Sequence, residues 1–349
     1  MRAVAFLTVF LGHARIIPSG YSAFGVSIFV VLSGFLLANS YNNKAIEIGL
    51  NTQCHFAWNH VKNLYPLHIA CLIGMIPFYD FSIQTITKVI LNVLLLQSWI
   101  PSIPVSQSMN GVAWYLSTCL FFYFMFPLLW RCCTALKSKG CKYAAIFTWL
   151  GMLLTRYLTF RIEGLDGTFA TWFYYVFPFY RLGEFFIGLC MGYFFFNSTH
   201  HNMTEFDSRI AIDSKHHCRM NHWGSSLFSI LEILGVTAFL TVGYLQSRKF
   251  DTVFLNILFT STWIDLPISI VLITLFWKHK GTVTNLLTNG ITVTIGNLSG
   301  YLFLTHYVCI NLSNSACRKL CVADTYAFVL SVVLSVLSAY FYKVIRKRL

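Results

Sequence analysis

Ionisable side chains are scarce within the apolar runs of this chain, and those that remain there can do chemistry. Arg2 and His13 bracket the first apolar run, Arg181 and Glu184 lie three apart in a later one, and His306 follows Ser299 in another. An ionisable group inside a membrane costs at least about 2.5 kcal/mol, so each marks a functional site by default. At about 100° per residue, the steps from Arg2 to His13 make roughly three turns with about 20° left over, a rise on the order of 16 Å. Both side chains therefore face one groove. A cation and an imidazole at two depths suit a site in which the guanidinium holds the anionic part of a ligand and the imidazole handles a proton at the reacting end. The same spacing also fits a plainer arrangement, with Arg2 anchoring the chain start at the headgroups and His13 capping the opposite interface. Arg181 and Glu184, one turn apart, can pair, which lowers the cost of placing both beneath an interface. Pro178 before them and Gly183, Gly188 and Gly192 after them favour a kinked start and close packing. His306 reads as a second proton-handling or substrate-binding group, or as a helix histidine satisfied by a neighbouring hydroxyl.

The elements that must position these groups are membrane helices. Across 349 residues, 56% hydrophobic and only 11% charged composition excludes a secreted or cytosolic globule. The apolar runs are continuous, without the period-two alternation of a membrane barrel, so the backbone must satisfy itself as helix. The expected fold is an all-α, polytopic transmembrane bundle forming a single domain over residues 1–349. A net charge of +13 would suit a nucleic-acid binder, but the basic residues sit in short breaks between apolar runs. They read as topology signals, and no nucleic-acid partner is expected. Eleven Cys show no paired spacing, and Cys71, Cys119, Cys190 and Cys309 lie inside apolar runs as small hydrophobes. His216, His217, Cys218 and His222 share one loop without a standard zinc spacing, and no metal is expected.

Apolar runs predict crossings near residues 3–18, 22–41, 64–80, 112–130, 143–160, 173–196, 226–246, 253–277, 288–312 and 325–342, ten in all. No small-residue cleavage site follows the first run, so that helix is expected to stay in the protein. Thr85 to Trp99, broken by Lys88, Asn92 and Gln97, reads as interfacial or re-entrant. With both termini cytoplasmic, the inner loops collect Lys44 and Lys62, the Arg131 to Lys142 cluster, Arg209, Lys215 and Arg219, Lys278 and Lys280, and the terminal Lys343 to Arg348. An eleventh crossing would expel the Arg131 to Lys142 cluster. Sparse polar residues in a helical bundle suit a transporter of a small solute or polysaccharide intermediate as well as an enzyme. No internal repeat of the kind that builds duplicated transporters is present.

Six segments carry a resemblance. RAVAFLTVFLGH (Arg2 to His13), GVSIFVVLSGFLL (Gly25 to Leu37), NLYPLH (Asn63 to His68), NGVAWYLSTCLFFYFMFPLL (Asn110 to Leu129), FYRLGEFFIGLCMG (Phe179 to Gly192) and IGNLSGYLFLTH (Ile295 to His306) occur in order. Together they resemble the integral-membrane acyltransferase 3 family, which includes bacterial O-acetyltransferases of surface polysaccharides. The resemblance implies a multi-pass protein of the bacterial inner membrane. It would move an acyl group, usually acetyl, from cytoplasmic acyl-CoA to a sugar hydroxyl of a surface polysaccharide or its lipid-linked precursor. The implied partners are acyl-CoA, the glycan acceptor and membrane lipids, with no oligomeric state indicated.

On that resemblance Arg2 and His13 carry over as the central pair. His13 would be the base for the sugar hydroxyl or a covalent acyl relay, two mechanisms that stay open. Arg2 would contact the donor's phosphates or pantetheine, and His60 and Lys62 would help draw in the anionic coenzyme. Asn110, Trp114, Tyr115 and Ser117 are implied acceptor-side lining, with Glu184 and His306 as further substrate-binding groups. Ser27 stands where many members carry Asp, Cys119 where many carry Glu, and His60 and Asn63 where paired Arg are usual. A carboxylate to orient the histidine is thus absent from two familiar positions, so either Glu184 substitutes or the site works without one. The family's segment before the first Arg is also absent, which leaves an upstream start or a shortened, catalytically inactive copy as open readings.

Overall fold

The computed structural model describes residues 1–42, 44–163, 167–210, 222–248 and 263–348. The loop with His216, His217 and Cys218, the His222 side chain, and the first part of the predicted 253–277 crossing lie outside the described residues. Every regular element among the described residues is helical. In chain order these are α1 (Arg2–His13), α2 (Ser19–Tyr41), α3 (Leu50–Val61), α4 (Tyr65–Met75), α5 (Ile83–Val93), α6 (Ile103–Ser106) and α7 (Trp114–Glu163). There follow α8 (Thr168–Tyr175), α9 (Pro178–Ile210), α10 (His222–Leu245), α11 (Asp265–Lys278), α12 (Thr282–Leu287), α13 (Gly290–Lys319) and α14 (Asp324–Arg348).

Among the described residues, five helices are long and apolar enough to cross a membrane: α2, α7, α10, α13 and α14; α3 and α4, bent by 60°, pass the same test together. That is fewer than the ten runs in the sequence, for identifiable reasons. Helix α1 stops at His13, with Arg15 at φ 59° and Pro18 before the next helix, so it does not reach residue 18. Its 12 residues rise only about 18 Å, short of a hydrocarbon core about 30 Å thick. Helix α7 holds two predicted runs, because Lys137 at φ 55° and ψ 179° breaks it into two arms. Both arms pack on α9 in opposite directions: Phe122 and Trp130 of the first lie 4.9 Å from Phe185 and 5.4 Å from Tyr193, while in the second Cys141 meets Cys190 and the Met152 carbonyl accepts from Tyr180. The chain therefore reverses at Lys137 as a helical hairpin. The Thr85 to Trp99 stretch contains only the 11-residue α5 and a short turn at Gln97–Trp99.

Helix α2 is the centre. Its apolar window is 72% buried, against 17% for the equally apolar α14, which lies at the periphery with Leu330, Val333, Leu337 and Phe341 exposed. Small residues set the approach of α2 to α9. A Cβ on Gly34 would meet the Leu189 backbone nitrogen at 2.8 Å, and one on Gly188 the Val31 carbonyl carbon at 2.9 Å. Backbone cannot yield as a side-chain tip can, so these two helices touch main chain to main chain. Ser27 meets Arg181, Gly34 meets Leu189 and Ala38 meets Gly192, so α2 and α9 run parallel.

Gly188→Val is expected to destabilise the detergent-solubilised protein by about 1–3 kcal/mol through overpacking, read as a lowered melting temperature. Gly151→Ala, where an added methyl meets nothing within 4 Å, should leave the transition within about 0.5 kcal/mol.

Candidate active site

Helix α1 lies along α13. Arg2 Cβ is 4.0 Å from the Cβ position of Gly296 at one end, and His13 meets His306 at the other, so the two helices run parallel. Eleven residues separate Arg2 from His13 and ten separate Gly296 from His306, which keeps the faces in step over three turns. Arg2 and His13 both lie against α13, at opposite ends of α1.

His13 Nδ1 lies 3.0 Å from His306 Nε2. His306 Nδ1 lies 2.8 Å from the Phe303 carbonyl and 3.2 Å from that of Leu302. A carbonyl only accepts, so His306 Nδ1 carries the proton, and with both rings neutral His306 Nε2 is an acceptor. His13 must then donate from Nδ1, which leaves the lone pair on its Nε2. A second imidazole thus sets the tautomer of the first, the task usually given to a carboxylate. Rings of Phe6, Phe10 and Phe303 stand 5.8, 5.9 and 5.8 Å from His306, enclosing it in apolar surroundings, while Tyr307 stands edge-on to His13 at 5.8 Å.

Arg2 stands where two cavities meet. One, of about 470 Å³, is lined by Arg2 with Asn39, Ser40, Trp277, His279, Thr284 and Thr288 among others. The other, of about 210 Å³, runs inward past Ser33, His60, Tyr115, Cys119, Tyr123 and Ser299 to Phe303. His13 does not line either. Phe303 stands between, packed against Tyr115 at 5.0 Å and Phe29 at 5.8 Å on the cavity side and against His306 on the other.

The remaining sequence-derived candidates divide. His60 lines the inner cavity, stacked between Phe56 at 4.2 Å and Tyr123 at 4.7 Å, and its Nδ1 donates to the Phe56 carbonyl. Lys62 is exposed, donates to Asn59 Oδ1 at 2.7 Å and does not line either cavity. Of the expected acceptor-side group only Tyr115 is in the wall. Asn110 is buried and donates to the Leu304 carbonyl at 2.9 Å, tying its loop to α13. Trp114 packs on Tyr175, and Ser117 donates to the Leu95 carbonyl and contacts Ser98, facing away from the cavity. These two hold α7 to its neighbours.

Glu184 does not take the orienting role left open by the sequence. Fully buried, it pairs with Arg181, which also reaches Ser27 Oγ at 3.4 Å. Glu184 and Ser27 are thus committed to Arg181, and the partner of His13 is His306. Arg181 Nε and Nη2 remain without a bond, as does Glu184 Oε2.

Sequence reasoning missed Tyr123, Ser33 and Glu232. The buried Glu232 carboxylate accepts from the Thr284 N–H at 3.0 Å and from its hydroxyl, capping α12, which supplies a wall of the larger cavity. A lone Glu within the apolar run of α10 was the available signal.

The model of a family described as "Acyltransferase domain" matches residues 1–343. The chain belongs to the acyltransferase 3 family. It is a membrane protein of that family. It is 25% identical over 194 residues to the acyltransferase MdmB of Streptomyces mycarofaciens, covering 52% of this chain and 49% of that protein. The chain thus spans about half the length of this curated relative. No solved structure matches it.

His306→Phe keeps an aromatic volume in apolar surroundings but removes the acceptor from His13; acyl-transfer turnover should fall on the order of 10²–10⁴-fold, with the donor KM unchanged. Ser117→Ala should cost about 1 kcal/mol of stability in a thermal melt and leave turnover within about threefold.

Proposed function

We propose that this protein is an O-acyltransferase of the bacterial cytoplasmic membrane that moves an acyl group, acetyl by preference, from cytoplasmic acyl-CoA to a sugar hydroxyl of a surface polysaccharide or its precursor. One observation carries the chemistry: the hydrogen bond to His306 leaves the His13 lone pair on Nε2. A sugar hydroxyl is a poor nucleophile until a base takes its proton. His13 Nε2 takes it as the oxygen attacks the thioester carbonyl, and the imidazolium returns it to the departing thiolate. The same nitrogen serves a covalent acyl-imidazole route, and both readings need the Nδ1 donor fixed.

The two cavities at Arg2 support the donor assignment. The larger one carries amide, hydroxyl and imidazole groups suited to phosphates, and the narrower, aromatic one suits the pantetheine arm. Arg2 at their junction offers a planar fork to the pyrophosphate or to the first amide. His60 lines the arm's path. Phe303 closes the inner end, so delivery of the thioester to His13 requires its ring to turn aside.

Helix directions fit the alternation that the ten-run count requires. Odd-numbered crossings must run one way and even-numbered ones the other. Helices α1, α4 and α13, the first, third and ninth of that count, are mutually parallel, with Leu64 beside Gly300 and Gly74 beside Val308. Helices α2 and α9 and the first arm of α7, the second, sixth and fourth, form the other parallel set, with the Phe122 ring 4.9 Å from Phe185.

NMR of surface glycan from cells carrying His13→Ala should show loss of the O-acyl signal while membrane fractions retain the protein. Full retention of that signal would remove the base assignment. Arg2→Lys keeps the charge and loses the fork; it should raise the acyl-CoA KM by about tenfold with little change in kcat. An unchanged constant would make Arg2 an anchor only.

A further inference from the structure

The helical hairpin of α7 gathers three thiols that no sequence motif announces. Cys133 ends the first arm, Cys141 begins the second after the reversal at Lys137, and Cys190 comes from α9. Read singly, Cys190 was another small hydrophobe. In the fold all three are buried, and their sulfurs lie within 4.8 Å of one another, with Cys133 and Cys190 3.8 Å apart. No fourth His, Cys, Asp or Glu joins them among the described residues.

We propose that Cys133, Cys141 and Cys190 form a three-coordinate thiolate site for a soft monovalent cation, Cu(I). Three sulfurs about 2.3 Å from a central ion in a trigonal plane stand about 4 Å from one another, close to the 3.8 Å between Cys133 and Cys190 and inside the 4.8 Å that bounds all three pairs. A disulfide would need the closest pair to approach to about 2.05 Å. Zinc prefers a fourth ligand, and the cluster supplies none; thiolate-only, low-coordinate sites select Cu(I).

Binding is a ligand exchange without a redox step: three thiols release three protons as three sulfur–copper bonds form, leaving a complex of charge −2. Arg131, Lys137, Lys139 and Lys142 flank the cluster along the chain, all exposed, and their field offsets that charge. Cys132, exposed and adjacent to Cys133, offers an entry ligand from which the ion passes inward. Copper would staple the two arms of α7 to α9 where the chain reverses. The site is separate from the His13 centre, so its test does not depend on the reading of that centre.

The experiment is an anaerobic titration of the full chain in detergent with Cu(I) against a chromophoric Cu(I) chelator, followed by copper K-edge X-ray absorption. We expect one equivalent held against the chelator, with three sulfur neighbours at about 2.3 Å. Cys133→Ser with Cys190→Ser should weaken binding by more than about 100-fold, beyond the loss of an outer-shell partner. Cys54→Ser with Cys132→Ser and Cys321→Ser, all exposed, should retain the equilibrium affinity. Two-coordinate or nitrogen-bearing spectra, or loss of the ion in the exposed-cysteine variant instead, would overturn the proposal. The wild-type spectrum decides coordination even where a variant fails to fold.

Discussion

Polar groups within an apolar helical bundle have no water to turn to, and the bond between His13 and His306 shows how this chain meets that constraint. Several buried polar groups find a partner on another helix or one turn away. His13 on α1 takes His306 on α13, Glu232 on α10 takes the start of α12, and Gln246 after α10 takes Asp265 on α11. Arg181 takes Glu184 and Ser27. Since a lone ionisable group in hydrocarbon is costly, such pairs act as register marks between helices that are otherwise smooth and apolar.

The histidine pair also turns that constraint into chemistry. Helix α13 commits the His306 Nδ1 proton to its own carbonyls, His306 Nε2 commits the His13 proton, and one lone pair remains at the end of the relay. Each step follows from counting donors and acceptors. Replacing the usual carboxylate by a neutral imidazole avoids burying a charge, at the cost of a weaker orienting bond. The apolar rings of Phe6, Phe10 and Phe303 around His306 fit that neutral arrangement.

Close packing and chain reversal shape the rest. Main-chain contact at Gly34 and Gly188 locks α2 against α9, and both arms of α7 pack on α9 from a single turn at Lys137. Residues far apart in sequence meet for this reason, including the tripartite thiol cluster and Ser27 with Arg181.

By itself the sequence determined what depends on local pattern. Continuous apolar runs require helices, the Arg2 to His13 spacing puts both groups on one face, and Pro178 with its following glycines marks a closely packed helix. Those properties follow from helical period and side-chain volume, and each is legible in a single segment. Only the tertiary structure decided the partners. That His306, 293 residues away, orients His13 while Glu184 serves Arg181 depends on which helices abut. The facing of Ser117 toward Leu95, the exclusion of Lys62 from the cavity and the shortness of α1 were equally hidden. An apolar helix presents nearly the same surface all round, so its rotation and neighbours are chosen by close contacts made across the whole bundle.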